Sequence, residues 1–131
     1  MESVTSEPLG ITICRIALGL LLLVFGANGI LRFLHVPKPP SRAEAFRRAL
    51  SETGYMTPLW KAVEFLGAFF LLLNLWIPFA LILLAPVLVN IFCFHLFLSR
   101  RGLPLAAVLV ACAGILAWAH RHAFAPLFGG T

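Results

Sequence analysis

Seven polar residues lie within or at the ends of long apolar runs: Arg15, Asn28, Arg32, Lys61, Glu64, Asn90 and His95. In hydrocarbon such side chains are costly unless paired or hydrated, and they mark ligand sites, proton relays or contacts between helices. Asn28 and Arg32 stand at i, i+4 and Lys61 and Glu64 at i, i+3, so each pair shares a helix face. Glu64 is the deepest ionisable group and must be paired, with Lys61 or Arg32, or else protonated. Asn90 and His95 are ~140° apart on an ideal helix, so whether they face one pocket is open.

The elements that must carry these residues are set by composition. The chain has 131 residues, of which 61% are hydrophobic and 11% charged, with a mean hydropathy of +0.99. That is far from a soluble domain. A spanning helix takes roughly 20 apolar residues, so the length accommodates four spans with short connections and no soluble catalytic domain. The net charge of +5 does not point to nucleic acid, because the basic residues flank apolar runs instead of forming a separate polar surface interleaved with aromatics.

The expected fold is all-α: one domain over residues 1–131, an integral membrane four-helix transmembrane bundle. Its spans cover about 11–33, 58–73, 77–98 and 104–119, with a short interfacial helix over 41–53. The prolines of the Pro37–Pro40 segment end the first span. Ser41 and Glu44 have capping-box spacing, and Ala45, Phe46, Ala49 and Leu50 give the next helix an apolar face opposite Arg42, Arg47 and Arg48. Gly54 stops that helix, and Thr57 followed by Pro58 reads as a cap and first position for the second span. Pro86 falls near the middle of the third span, where a kink is expected. The first ten residues lack the basic start of a cleavable signal, so the first span is expected to be retained.

Lys and Arg are held back on the cytoplasmic side. Arg32, Lys38, Arg42, Arg47, Arg48, Arg100 and Arg101 fall on one side, against Arg15 and Arg121 on the other, seven against two. Both termini are thus expected outside the bacterial cytoplasmic (inner) membrane, in the periplasm. Measured from the cytoplasmic helix ends, Lys61 and His95 lie ~4 Å deep, Asn28 ~7 Å, Glu64 ~9 Å and Asn90 ~12 Å. Three spans therefore bring polar residues to one half of the membrane, where a shared ligand-binding pocket would unite Asn28, Arg32, Lys61, Glu64, Asn90 and His95.

Plainer readings exist for each. Arg32 and Lys61 are near enough to the interface to snorkel, and Arg15 reads as a structural charge bonding carbonyls or headgroups near the outer surface. The remaining cluster serves either as a network that holds helices together or as a ligand or proton site. Haem between helices usually needs two axial ligands, and a single His95 offers one; no metal site is expected. Trp60, Trp76 and Trp118 fall near helix ends as interface anchors. Cys14, Cys93 and Cys112 are widely separated, form no C-x-x-C pair and read as small hydrophobes, not as a dithiol relay.

The ordered set Arg15-x3-Gly19, Phe25-Gly26-x-Asn28-Gly29, Pro37 to Pro40, Thr53-Gly54-Tyr55, Lys61-x2-Glu64-x2-Gly67 and Pro86-x3-Asn90-x4-His95 resembles the DoxX family over nearly the whole chain, from about Cys14 to Phe128. Many members have a Lys directly after the position of Asn28, where this chain has Gly29, so a role for that Lys does not carry over. The resemblance implies a four-helix membrane protein associated with quinone-linked redox complexes.

Three functions of different classes follow as expectations. The first is an accessory subunit of a membrane redox system whose pocket meets a quinone or another lipophilic ligand. The second is a non-catalytic structural or assembly subunit docking on a larger membrane complex, or a homo-oligomer. The third, less favoured, is a small transporter, because four spans without a clear internal repeat give no obvious alternating-access design. No phosphate-binding loop, nucleophile elbow or HExxH is present, so the chain reads as more plausibly a subunit than an enzyme on its own.

Overall fold

The computed structural model describes residues 7–31 and 40–129, with side chains of 28–31 set aside. Six α-helices form among the described residues: α1 (Leu9–Leu31), α2 (Ser41–Glu52), α3 (Met56–Leu73), α4 (Ile77–Phe97), α5 (Leu103–Ala119) and α6 (Arg121–Phe124). Short 3₁₀ turns cover Arg100–Gly102 and Ala125–Phe128. Four of the helices, α1, α3, α4 and α5 with its preceding turn, are long and apolar enough to cross a membrane. They make an all-α four-helix bundle. Each of α1 and α4 packs on both α3 and α5, so the four close into a ring.

Every span is apolar nearly all round, so hydrophobicity alone cannot choose an inward face. Packing chooses it through small residues. A side chain at Gly19 would meet the Leu72 side chain at 2.8 Å, and one at Gly67 would overlap the Leu84 side chain. Leu72 and Leu84 thus occupy the space that the two glycines leave, which lets α1 approach α3 and α3 approach α4. Around them Leu18, Leu22, Ala68, Leu71, Ala80, Leu81, Leu88, Leu109 and Leu116 form the core. Leu20, Phe69, Phe79, Ile82, Val89 and Ile115 are exposed on the outside, where lipid replaces water.

The turns differ from the sequence expectation in their capping chemistry. Helix α2 begins at Ser41, with Pro40 as its N-cap and no side-chain cap bond, so the expected Ser41–Glu44 box does not form. Its inward face is Ala43, Phe46 and Leu50, at i, i+3 and i+7, while Ala45 and Ala49 are exposed. Phe46 rests on Phe94 of α4 with ring centroids 5.8 Å apart. The cap of α3 comes from Thr53 and not from Thr57, which lies within the helix. The Thr53 hydroxyl oxygen accepts from the backbone N–H of Met56 at 3.0 Å and donates to the Leu50 carbonyl at 2.7 Å. Gly54, at φ +83°, provides the left-handed step between the two helices.

Between α3 and α4, the Leu75 N–H reaches the Phe70 carbonyl and the Asn74 N–H reaches the Leu71 carbonyl, the double bond of a Schellman motif. Asn74 takes the left-handed conformation this requires, at φ 57°. Trp76 is also left-handed, at φ 47°, and its ring packs on Phe70 with centroids 5.4 Å apart.

Candidate functional site

Helix α3 presents Lys61 and Glu64 one turn apart, and the Lys61 Nζ stands 3.0 Å from Glu64 Oε1. The Glu64 side chain is 5% exposed and that of Lys61 is 21% exposed. Glycine on α1 makes this burial feasible: Oε1 lies 3.6 Å from where a Cβ of Gly26 would stand, beside the Phe65 ring. The close ammonium contact lacks hydrogen-bond angles, so Oε1 is buried with an ionic neighbour but no hydrogen bond among the described residues. A buried carboxylate in that condition retains acceptor capacity, and an ammonium has further donors to offer.

On another side of α3 an apolar cleft of about 280 Å³ opens between α3 and α4. Met56, Leu59, Trp60 and Val63 line it from α3, and Leu83, Pro86 and Val87 from α4. Asn90, half-buried, continues the stripe of Leu83 and Pro86 at helical spacing, one turn beyond the α4 residues that line the cleft. The cleft is near the lower limit of ligand-pocket volumes, which start at ~300 Å³. Trp60, expected as an interface anchor, is half-buried in its wall.

His95 is placed elsewhere. Its Nδ1 lies 3.1 Å from the Ser99 carbonyl oxygen, its ring stands edge-on to Phe94, and it fills the space beside Gly102, where an added Cβ would overlap it. With Gly67 opposite Leu84 on the antiparallel pair, Glu64 is level with Val87, and His95 is ~12 Å farther toward the end carrying Arg100 and Arg101. The structure therefore brings together Lys61 and Glu64, sets Asn90 one turn beyond the neighbouring cleft, and commits His95 to the turn that ends α4. The Asn28 backbone belongs to α1 within a turn of Gly26; its side chain, like Arg32, lies outside the described residues.

At the opposite end of the bundle Arg15 is held by two kinds of acceptor. Its Nη1 donates to the Leu71 carbonyl at 2.7 Å, and its Nε donates to both Glu7 carboxylate oxygens at 3.2 Å. Nη2 completes the ion pair at 3.1 Å from Glu7 Oε1, and the Thr12 hydroxyl donates to the same oxygen at 2.7 Å. Burial acts to raise the Glu7 pKa, but the hydrogen bonds from Arg15 and Thr12 and the positive charge of Arg15 and His120 outweigh it and hold the carboxyl below its ordinary range. Sequence reasoning singled out Arg15 but not Glu7, whose spacing of eight residues from Arg15 is no recognised signature. The cleft was equally silent, since its lining residues are ordinary span residues.

No group of three or more His, Cys, Asp or Glu side chains positioned to hold a metal ion occurs among the described residues. No protein-family model, curated protein or solved structure matches the chain.

Proposed function

We propose that this protein is a DoxX-like accessory subunit of a quinone-linked redox system in the bacterial cytoplasmic membrane, and that the α3–α4 cleft with its adjoining polar residues receives a prenylated quinone. The apolar cleft between α3 and α4, on a helix that also buries the Lys61–Glu64 pair, is the observation that carries this reading. A prenyl chain matches the wholly apolar wall of Met56, Leu59, Val63, Leu83, Pro86 and Val87. The amide of Asn90, one turn beyond Pro86, is a donor suited to a quinone carbonyl oxygen. Glu64 stands 3.0 Å from the Lys61 ammonium as its counter-charge. The residue likeness to the DoxX family supports the redox setting.

The basic residues support an orientation with the Arg100–Arg101 turn and α2 on the cytoplasmic side and both termini in the periplasm. Arg42, Arg47 and Arg48 are exposed on α2, where they would meet anionic headgroups.

Purification in mild detergent followed by organic extraction tests the proposal. The expected result is a prenylquinone in the extract of the wild type, reduced about tenfold, or ~1.4 kcal/mol, in Asn90→Leu and in Lys61→Met. Glu64→Gln is expected to lower it less. Absence of quinone from the wild type, or equal recovery from all variants, overturns the proposal. Equal recovery with a lowered unfolding midpoint would show that the pair serves cohesion only.

A further inference from the structure

The end of the bundle away from Glu7 and Arg15 carries five exposed arginines in two groups: Arg42, Arg47 and Arg48 on α2, and Arg100 and Arg101 in the turn before α5. The last turn of α4 joins the two groups. Phe46 of α2 packs on Phe94 with ring centroids 5.8 Å apart. The Phe94 carbonyl accepts the N–H groups of Leu98 and Ser99 that close α4. The neighbouring His95 ring sits against Gly102, in the turn that holds Arg100 and Arg101. The basic helix and the basic turn are therefore seated on one helix end. Acidic groups offset little of this charge. Glu44 reaches Arg48 at 3.9 Å, and Glu52 is exposed at the end of α2. The other described carboxylates, Glu7 and Glu64, are taken by Arg15 and Lys61.

The phase of α2 sorts its arginines. Ala43, Phe46 and Leu50 form its inward face, with Ala43 fully buried. At ~100° per residue, Arg42 and Arg47 lie ~70° to either side of that face, and Arg48 is nearly opposite it. Arg42 and Arg47 thus leave α2 on its two flanks, beside the bundle, while Arg48 points away toward Glu44. Apolar outer surface begins directly alongside. Tyr55, just after α2, is 63% exposed, and Phe97, three residues before Arg100, is 67% exposed.

We infer that this end of the bundle binds anionic phospholipids on both flanks of α2. Arg42 and Arg47 each meet a headgroup phosphodiester, Arg100 and Arg101 add to the surrounding positive field, and the acyl chains lie along the exposed apolar faces of α3 and α4. A guanidinium matches two phosphate oxygens at once and keeps its charge at any physiological pH. Free phosphate offers the same oxygens but nothing to cover the apolar surface at Tyr55 and Phe97, so a lipid is the occupant that uses both halves of the site. A zwitterionic lipid carries the phosphate together with a cation that the arginines repel, so the selectivity is electrostatic. The inference needs only that the four spans cross a bilayer with this end at its surface. It is independent of a quinone in the α3–α4 cleft and of which side of the membrane this end faces.

Full-length protein, delipidated in a neutral detergent, is incubated with mixed micelles carrying equal amounts of phosphatidylglycerol and phosphatidylcholine with matched acyl chains. It is then re-isolated, and its phospholipid is extracted and quantified. The wild type is expected to retain phosphatidylglycerol in clear excess, and added salt should erase the excess without affecting phosphatidylcholine. Arg42→Gln and Arg47→Gln should each lower phosphatidylglycerol retention about fivefold. Arg48→Gln, and Arg121→Gln at the other end of the bundle, should change it little. Glycerol phosphate at the same concentration should not displace the lipid. The selectivity and salt response of the wild type give the primary result, so misfolding of a variant does not obscure it. Equal uptake of the two lipids by the wild type overturns the inference. So does a loss in Arg48→Gln or Arg121→Gln as large as in Arg42→Gln and Arg47→Gln, or full displacement by glycerol phosphate.

Discussion

The Arg15 guanidinium donates to the carbonyl of Leu71 at 2.7 Å, which joins the first span to the far end of the second through an oxygen that α3 itself leaves open. The same carbonyl accepts the Asn74 N–H of the Schellman turn. Arg15 therefore caps a helix C-terminus with positive charge where the helix dipole favours it, and Glu7 neutralises the rest of the guanidinium.

Replacing Arg15 by Leu should destabilise the bundle by about 1.5–3 kcal/mol, the range for hydrogen bonds to a charged group. Arg15→Lys should recover part of this, since it retains the charge but not the fork that reaches Leu71 and Glu7 together. The check is the unfolding midpoint in mixed detergent and SDS. Wild-type midpoints for both variants would refute the capping role.

Glu7 gives the same clasp a pH dependence. Its carboxyl is held below the ordinary value of 4.5 in the folded protein. A depressed folded pKa contributes stability that is fully present above the unfolded value and is lost as pH falls through the folded one. The wild type should therefore be more stable than Glu7→Gln at neutral pH, and the difference should shrink only below about pH 4.5. Unfolding midpoints from pH 7 to pH 3, within the range the detergent tolerates, measure it. A gap that stays constant down to pH 3 would mean that the carboxylate charge plays no part.

Gly67 and Leu84 should be coupled. A methyl at position 67 overlaps the Leu84 side chain, so Gly67→Ala is expected to cost about 1–3 kcal/mol by overpacking, and Leu84→Ala about 2–5 kcal/mol by leaving a cavity. The double variant should cost clearly less than the sum, because the added methyl enters the vacated space. Additivity within about 0.5 kcal/mol would show that the two positions are independent.

Much of the architecture was legible from local signals. Four apolar runs, Gly54 after α2 and Asn74 before α4 mark the helices and their ends, because length in hydrocarbon and backbone permissiveness are local properties; the expected stop at Pro37–Pro40 falls largely outside the described residues. The pairing of Lys61 with Glu64 was legible for the same reason, being set by the spacing of one helical turn. Capping was less so: Thr53 and Thr57 are both suitable types, and the path of the chain through Gly54 and Tyr55 decides between them.

What the sequence by itself determined is an all-α protein whose four long helices can span a membrane, with a Lys61–Glu64 pair inside one of them. What only the tertiary structure decided is which of the polar groups meet. Asn90 and His95 are both polar residues in the second half of α4, yet one continues the helical stripe of the cleft-lining Leu83 and Pro86 and the other fills the space beside Gly102. Arg15 and the Leu71 carbonyl, remote in the chain, are brought within hydrogen-bond distance. The physical reason is that these spans are apolar on every side, so hydropathy does not fix their rotation. Rotation is set by the fit of Leu72 and Leu84 into the space left by Gly19 and Gly67, and that fit exists only once the helices are packed.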